Sequence, residues 1–112
     1  MRTITEFIDL IKNGCFIEAH EILEESWKEL KQAGRLDEAR IQKGLINGAT
    51  AIGLMTQKHR PEAARKLWER YRDKYPPLIR TYEGEHAILY RTAAALLTER
   101  SMIFHEDING VF

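Results

Sequence analysis

With 112 residues the chain has room for one compact domain and not for two. Its 17 basic and 17 acidic side chains cancel, which removes the global field that draws a protein to nucleic acid or to an anionic membrane. A single valine, Val111, amid abundant alanine, leucine, glutamate and lysine argues against a sheet-dominated fold, and the lone Cys15 excludes an internal disulfide or a cysteine-rich zinc module.

Thr3 followed by Glu6 has the spacing of a capping box, and Phe7, Leu10 and Ile11 supply the stripe of a short first helix that stops at Asn13-Gly14. Phe16, His20, Leu23, Trp27 and Leu30 recur in steps of four and three, which predicts a second helix from about Phe16 to Gln32, ending before Gly34. The third helix, roughly Asp37 to Gln57, aligns Ile41, Leu45, Gly48, Ile52 and Met55 and carries apolar or small residues on most other sides. It is therefore expected to be central and buried, with Gly44 and Gly48 as a packing device. Pro61 suits the first position of a fourth helix, which Pro76-Pro77 should end near Tyr75. A fifth helix, about Glu85 to Arg100, presents Leu89, Ala93, Leu96 and Leu97 on one side, and a tail from Phe104 holds an Asn-Gly turn and Val111-Phe112. These elements predict an all-α fold over residues 1–112: a single bundle of five helices, mostly antiparallel.

The segment Met1 to Lys12 lacks the features of a secretory signal, and the nearly apolar run Gly44 to Met55 is too short to cross a membrane. A reducing cytoplasm is the expected location. The densest chemistry lies in Glu18-Ala19-His20-Glu21-Ile22-Leu23-Glu24-Glu25-Ser26-Trp27. On a helix, His20 sits in the apolar stripe with Glu24 one turn on, at the stripe's edge. An inward imidazole beside a carboxylate suits three roles: two ligands of a divalent metal, an acid–base pair, or a hydrogen-bonded strut. The strut carries the greatest prior weight, because buried polar groups are usually satisfied by a neighbour. The string matches a zincin helix except that Glu24 stands in place of the second histidine, and no third ligand is identifiable by spacing.

His86 projects toward the stripe of the fifth helix and is expected chiefly to cap or decorate its start. Cys15, near a helix start, is open to a thiol pKa lowered by the helix dipole, although a small buried apolar residue is the plainer reading. Glu18 to Glu29 holds five glutamates against Lys28, whereas Lys58 to Arg80 holds eight basic residues against Glu62, Glu69 and Asp73. A basic strip with Trp68, Tyr71 and Tyr75 raises RNA binding as a third-ranked idea. The aromatics occupy the apolar line, however, so a core role with a solvated basic face is favoured.

The stretch Phe16 to Trp27, then Gly44-Leu45-Ile46-Asn47, then Ala63-Ala64-Arg65-Lys66-Leu67, resembles the family called domain of unknown function 309 over about residues 6–75. Its Glu-Ala-His-Glu-x-Leu-Glu-x-x-Trp helix is complete here. Lys43, Asn47, Arg60 and Ala63 depart from the family's pattern. The resemblance implies a small helical bundle with His20 and Glu24 facing inward toward Asn47, and implies no activity.

Two functions follow as expectations. One is a small-ligand or metal pocket built on His20 and Glu24 and supported by Glu21, Trp27 and Asn47, with His20 oriented by Glu24 as the acid–base group should the protein be an enzyme. The other is a noncatalytic helical interaction module, in which the pair is a strut and a second copy or a helical partner covers exposed apolar surface.

Overall fold

The computed structural model describes residues 2–105, so Asn109-Gly110 and Val111-Phe112 lie outside the described residues. Five helices follow one another: α1 (Arg2–Lys12), α2 (Phe16–Gln32), α3 (Leu36–Thr56), α4 (Pro61–Thr81) and α5 (Ala87–Arg100). There is no strand among the described residues, and no described helix is long and apolar enough to cross a membrane.

Helix α3 is the axle of the bundle. It packs against α2, α4 and α5, while α1 closes over α2 and α5. Helices α2 and α4, of opposite charge balance, both pack on α3 and make little contact with each other. The largely apolar pattern of α3 is met by burial on most sides, from Ala39 and Ile41 through Leu45, Ala49 and Ile52, while Arg40, Lys43, Asn47 and Thr50 line one side that stays exposed or half-buried. Glycine sets how near the neighbours come. A Cβ on Gly44 would stand 2.9 Å from the Tyr75 Cβ and nearer still to its ring, and one on Gly48 would stand 2.9 Å from Leu97 Cδ1.

Between helices the turns are short. Gly14 and Gly34 take positive φ, 77° and 75°, where a side chain would be strained. Gln57, at the end of α3, accepts a hydrogen bond from the Ile17 backbone N–H and donates to Glu18, supplying the start of α2 with a cap that Cys15 does not make. Two local expectations are corrected here. Thr3 lies inside α1 rather than ahead of it. Helix α5 begins at Ala87, leaving Glu85 and His86 in the turn before it.

The larger correction concerns Pro76-Pro77, which do not end α4: the helix continues to Thr81 with both prolines inside it. Each interior proline costs about 3 kcal/mol in lost hydrogen bonding and ring clash. Tertiary burial opposes that cost, since Ile79 is buried and Leu78 and Tyr82 pack on the core. Fully burying an isoleucine contributes about 1.5–3 kcal/mol by itself. Trp68, Tyr71 and Tyr75 are all buried in α4, and Phe104 stacks on Trp68 at 5.7 Å between ring centroids. The four aromatics are core, and Lys66, Arg70, Arg72 and Lys74 form the exposed faces.

Gly44→Ala gains about 1 kcal/mol of helix propensity but overpacks against Tyr75 at about 1–3 kcal/mol; thermal unfolding should show a net loss of stability. Tyr71 is buried, and its hydroxyl has no hydrogen-bond partner among the described residues. Tyr71→Phe should leave the melting temperature unchanged or raise it, because a lone buried hydroxyl costs about 1–3 kcal/mol.

Candidate functional site

Helix α2 places His20 and Glu24 one above the other, as the spacing requires. The imidazole is half-buried, with 24% of the side chain exposed, and Glu24 is 40% exposed. Nδ1 lies 2.8 Å from the Ile17 carbonyl oxygen. A carbonyl can only accept, so Nδ1 carries the hydrogen and donates it. Nε2 stands 3.5 Å from Glu24 Oε2. In the neutral ring that nitrogen is also an acceptor, so a proton or a metal ion is what would turn this contact into attraction.

Both of these contacts lie within α2. The His20 ring is therefore held by its own helix through the Ile17 carbonyl, and the structure gives the pair no hydrogen bond to α3. Glu21 is exposed, and Asn47, half-buried on α3, bonds to neither His20 nor Glu24. Trp27 is half-buried beneath two ammonium groups: Lys31 Nζ is 4.4 Å and Lys43 Nζ 4.6 Å from the ring centroid. Lys43 thus ties α3 to the tryptophan of α2 by a cation–π contact. Cys15 is half-buried, and its thiol pKa is raised, by desolvation first and by Glu18 second. That corrects the idea of a thiol activated by the helix dipole.

A second constellation forms where the start of α3 meets the turn between α4 and α5. Glu38 is in the first turn of α3, yet only 3% of its side chain is exposed. Acidic residues in a first helical turn usually face solvent and pair with the helix dipole, but this one is buried. The Tyr90 hydroxyl, from α5, donates to Glu38 Oε2 at 2.5 Å, and Gln42 Nε2 donates to the Tyr90 hydroxyl at 2.8 Å. Arg35 donates through Nη2 to Glu38 Oε1 and, at 3.2 Å, to Glu85 Oε2. His86 Nδ1 stands 3.4 Å from Glu38 Oε2.

Electrostatics follow from this packing. The Glu38 carboxylate holds the Arg35 guanidinium pKa above its usual value, so Arg35 is a permanent cation. Burial, and then the bond to Glu38, pushes the Tyr90 hydroxyl pKa upward, so it stays a donor. Backbone geometry aims the histidine: His86 adopts φ 66°, a left-handed conformation in which non-glycine residues are uncommon. It is the residue just ahead of α5, but its side chain does not make the cap bond that was expected of it. Its ring goes to Glu38 instead.

Ligand atoms of Glu38, Glu85 and His86 all lie within 4.8 Å of one another. A cleft of about 400 Å³, walled by Gly34, Arg35, Leu36, Tyr82 and Gly84, opens onto the two glutamates. Two carboxylates and an imidazole form a donor set suited to zinc or manganese. Sequence spacing alone hides this trio, because 47 positions separate Glu38 from Glu85. The available signal was periodic: Glu38 and Gln42 extend the buried line of Leu45, Ala49 and Ile52, and His86 precedes Tyr90, Ala93 and Leu97 on the buried line of α5.

The helix carrying His20 and the buried α3 that follows it also locate the chain among known proteins. Residues 4–67, more than half of the chain, match the family described as Domain of unknown function (DUF309). No curated protein and no solved structure matches. The matched span covers α1, α2, α3 and the first turns of α4, including Glu38, and stops short of Glu85 and His86. On this match the chain belongs to the DUF309 family.

Proposed function

We propose that this helical bundle binds a divalent cation through Glu38, Glu85 and His86, with Tyr90 and Gln42 holding Glu38 in place. The observation that carries the reading is the convergence within 4.8 Å of three ligand atoms from two distant parts of the chain, the start of α3 and the turn before α5. Ligand atoms around a tetrahedral zinc stand about 3.3 Å apart, so the two glutamates and the histidine close inward when the ion enters. Glu38 needs little adjustment, because the Tyr90 donor already fixes its second oxygen. Three protein ligands leave a position open to water or a small ligand.

Arg35 is the built-in competitor. Its guanidinium bridges the two carboxylates that the metal would share, and its side chain is 46% exposed, free to swing toward solvent. Metal binding is then an exchange of one cation for another, and Arg35 offsets one of the site's two negative charges when no ion is bound. A reducing cytoplasm fits a chain with one cysteine.

The second reading places the ion at His20 and Glu24. What favours it is that Nε2, left as the acceptor nitrogen, stands 3.5 Å from Glu24 Oε2. A zinc ion about 2.1 Å from each atom would bridge them at a near-tetrahedral angle. Only two ligands are in reach there, which makes it the weaker site.

Calorimetric titration with zinc and with manganese separates the readings. Glu38→Gln or His86→Ala should weaken binding at least tenfold while His20→Ala leaves it intact, and Tyr90→Phe should weaken it about 10–100-fold. Arg35→Ala should tighten binding by removing the competitor. Loss of binding in His20→Ala alone would move the site to α2. No binding by any of these proteins would leave the cluster a structural ion-pair network.

A further inference from the structure

We propose that a second copy of this chain docks on the outer face of α5, antiparallel to it, about a twofold axis through Ala95. Helix α5 buries Tyr90, Ala93 and Leu97, yet its opposite side is not polar. Ile88 is 75% exposed, Met102 is 57% exposed, and Ala95 between them is exposed as well. These three residues are spaced by seven, so they form one stripe along the helix and the turn that continues it. The chain past Arg100 keeps that direction, because Ser101 has helical φ and its N–H bonds back to Leu97.

The occupant is specified by the order of residues about Ala95. In an antiparallel self-pairing, a residue n positions before Ala95 meets the level of the residue n positions after it in the other copy. Ile88 then meets Met102, Arg91 meets Glu99, and Thr92 meets Thr98. Each apolar residue faces an apolar one, and each charge faces its opposite. Every one of these side chains is exposed in the single chain. Ala95 on the axis meets its own copy, and its small side chain lets the helices approach to the usual 8–10 Å.

A parallel pairing in register would instead set Arg91 against Arg91 and Glu99 against Glu99. Existing contacts leave the charges usable. Arg91 spends Nη1 on the Tyr82 carbonyl, and Glu99 spends Oε1 on Arg100, so each retains further donors or an acceptor oxygen. The stripe spans about 21 Å of helix, a small interface of the size that weak, reversible encounters use.

Sedimentation velocity from roughly 1 μM to 1 mM tests the pairing. The wild-type chain should pass from monomer to dimer. Ala95→Glu, which brings like charges together on the axis, should weaken association at least tenfold. Arg91→Glu and Glu99→Arg should each weaken it several-fold, and the double exchange should restore it. All three positions are exposed, and an unchanged circular dichroism melting curve verifies that the variants fold. A wild type that stays monomeric throughout, a dimer insensitive to Ala95→Glu, or a double exchange that fails to rescue the single ones would each overturn the proposal.

Discussion

A carboxylate taken out of water must be given partners, and Glu38 organises one end of this molecule for that reason. An unpaired buried charge costs several kcal/mol. Its partners come from three places: Arg35 from the turn before α3, His86 from the turn before α5, and Tyr90 from within α5. Satisfying one side chain thereby fixes where the turn between α4 and α5 sits. The left-handed backbone at His86 is part of that arrangement, since it directs a ring that could have faced solvent toward a buried acid. The same convergence that neutralises Glu38 assembles a donor set able to hold a cation.

Packing further along α3 makes the convergence feasible. Gly44 admits Tyr75 of α4 and Gly48 admits Leu97 of α5, so both helices lie close against the axle. That closeness brings Tyr90 within reach of Glu38 and Gln42. The continuation of α4 through Pro76-Pro77 matters for the same reason. It carries the chain past Ile79 to Tyr82, which walls the cleft beside the glutamates and contacts the Tyr90 ring at 5.8 Å. A helix ending at Tyr75 would release the turn bearing Glu85 and His86 from this position.

How much of this was legible in the sequence depended on the range of the forces involved. Helix α2 could be read end to end, because its apolar steps and the glycine at position 34 are local signals. The central place of α3 was legible for a related reason, an apolar pattern on most sides that only burial on most sides satisfies. Local rules failed at Pro76-Pro77, where the proline penalty is met by side chains that touch the core only after folding. His20 and Glu24 were found by spacing, and they do stand together on α2, but spacing could not reveal that the ring would be engaged within its own helix. Glu38, Glu85 and His86 escaped because an acidic first turn is normally a solvated dipole partner. The clue was that Glu38 and Gln42 lie on a buried line.

The two ends of the account bear on one question, which imidazole in this chain meets a cation. Nitrogen-15 NMR of the four histidine rings during a zinc titration asks it directly. At one equivalent the account predicts that the His86 ring nitrogens shift or broaden, while His20, His59 and His105 keep their free positions. Zinc perturbing the His20 ring first, or leaving His86 unmoved at excess metal, would contradict it.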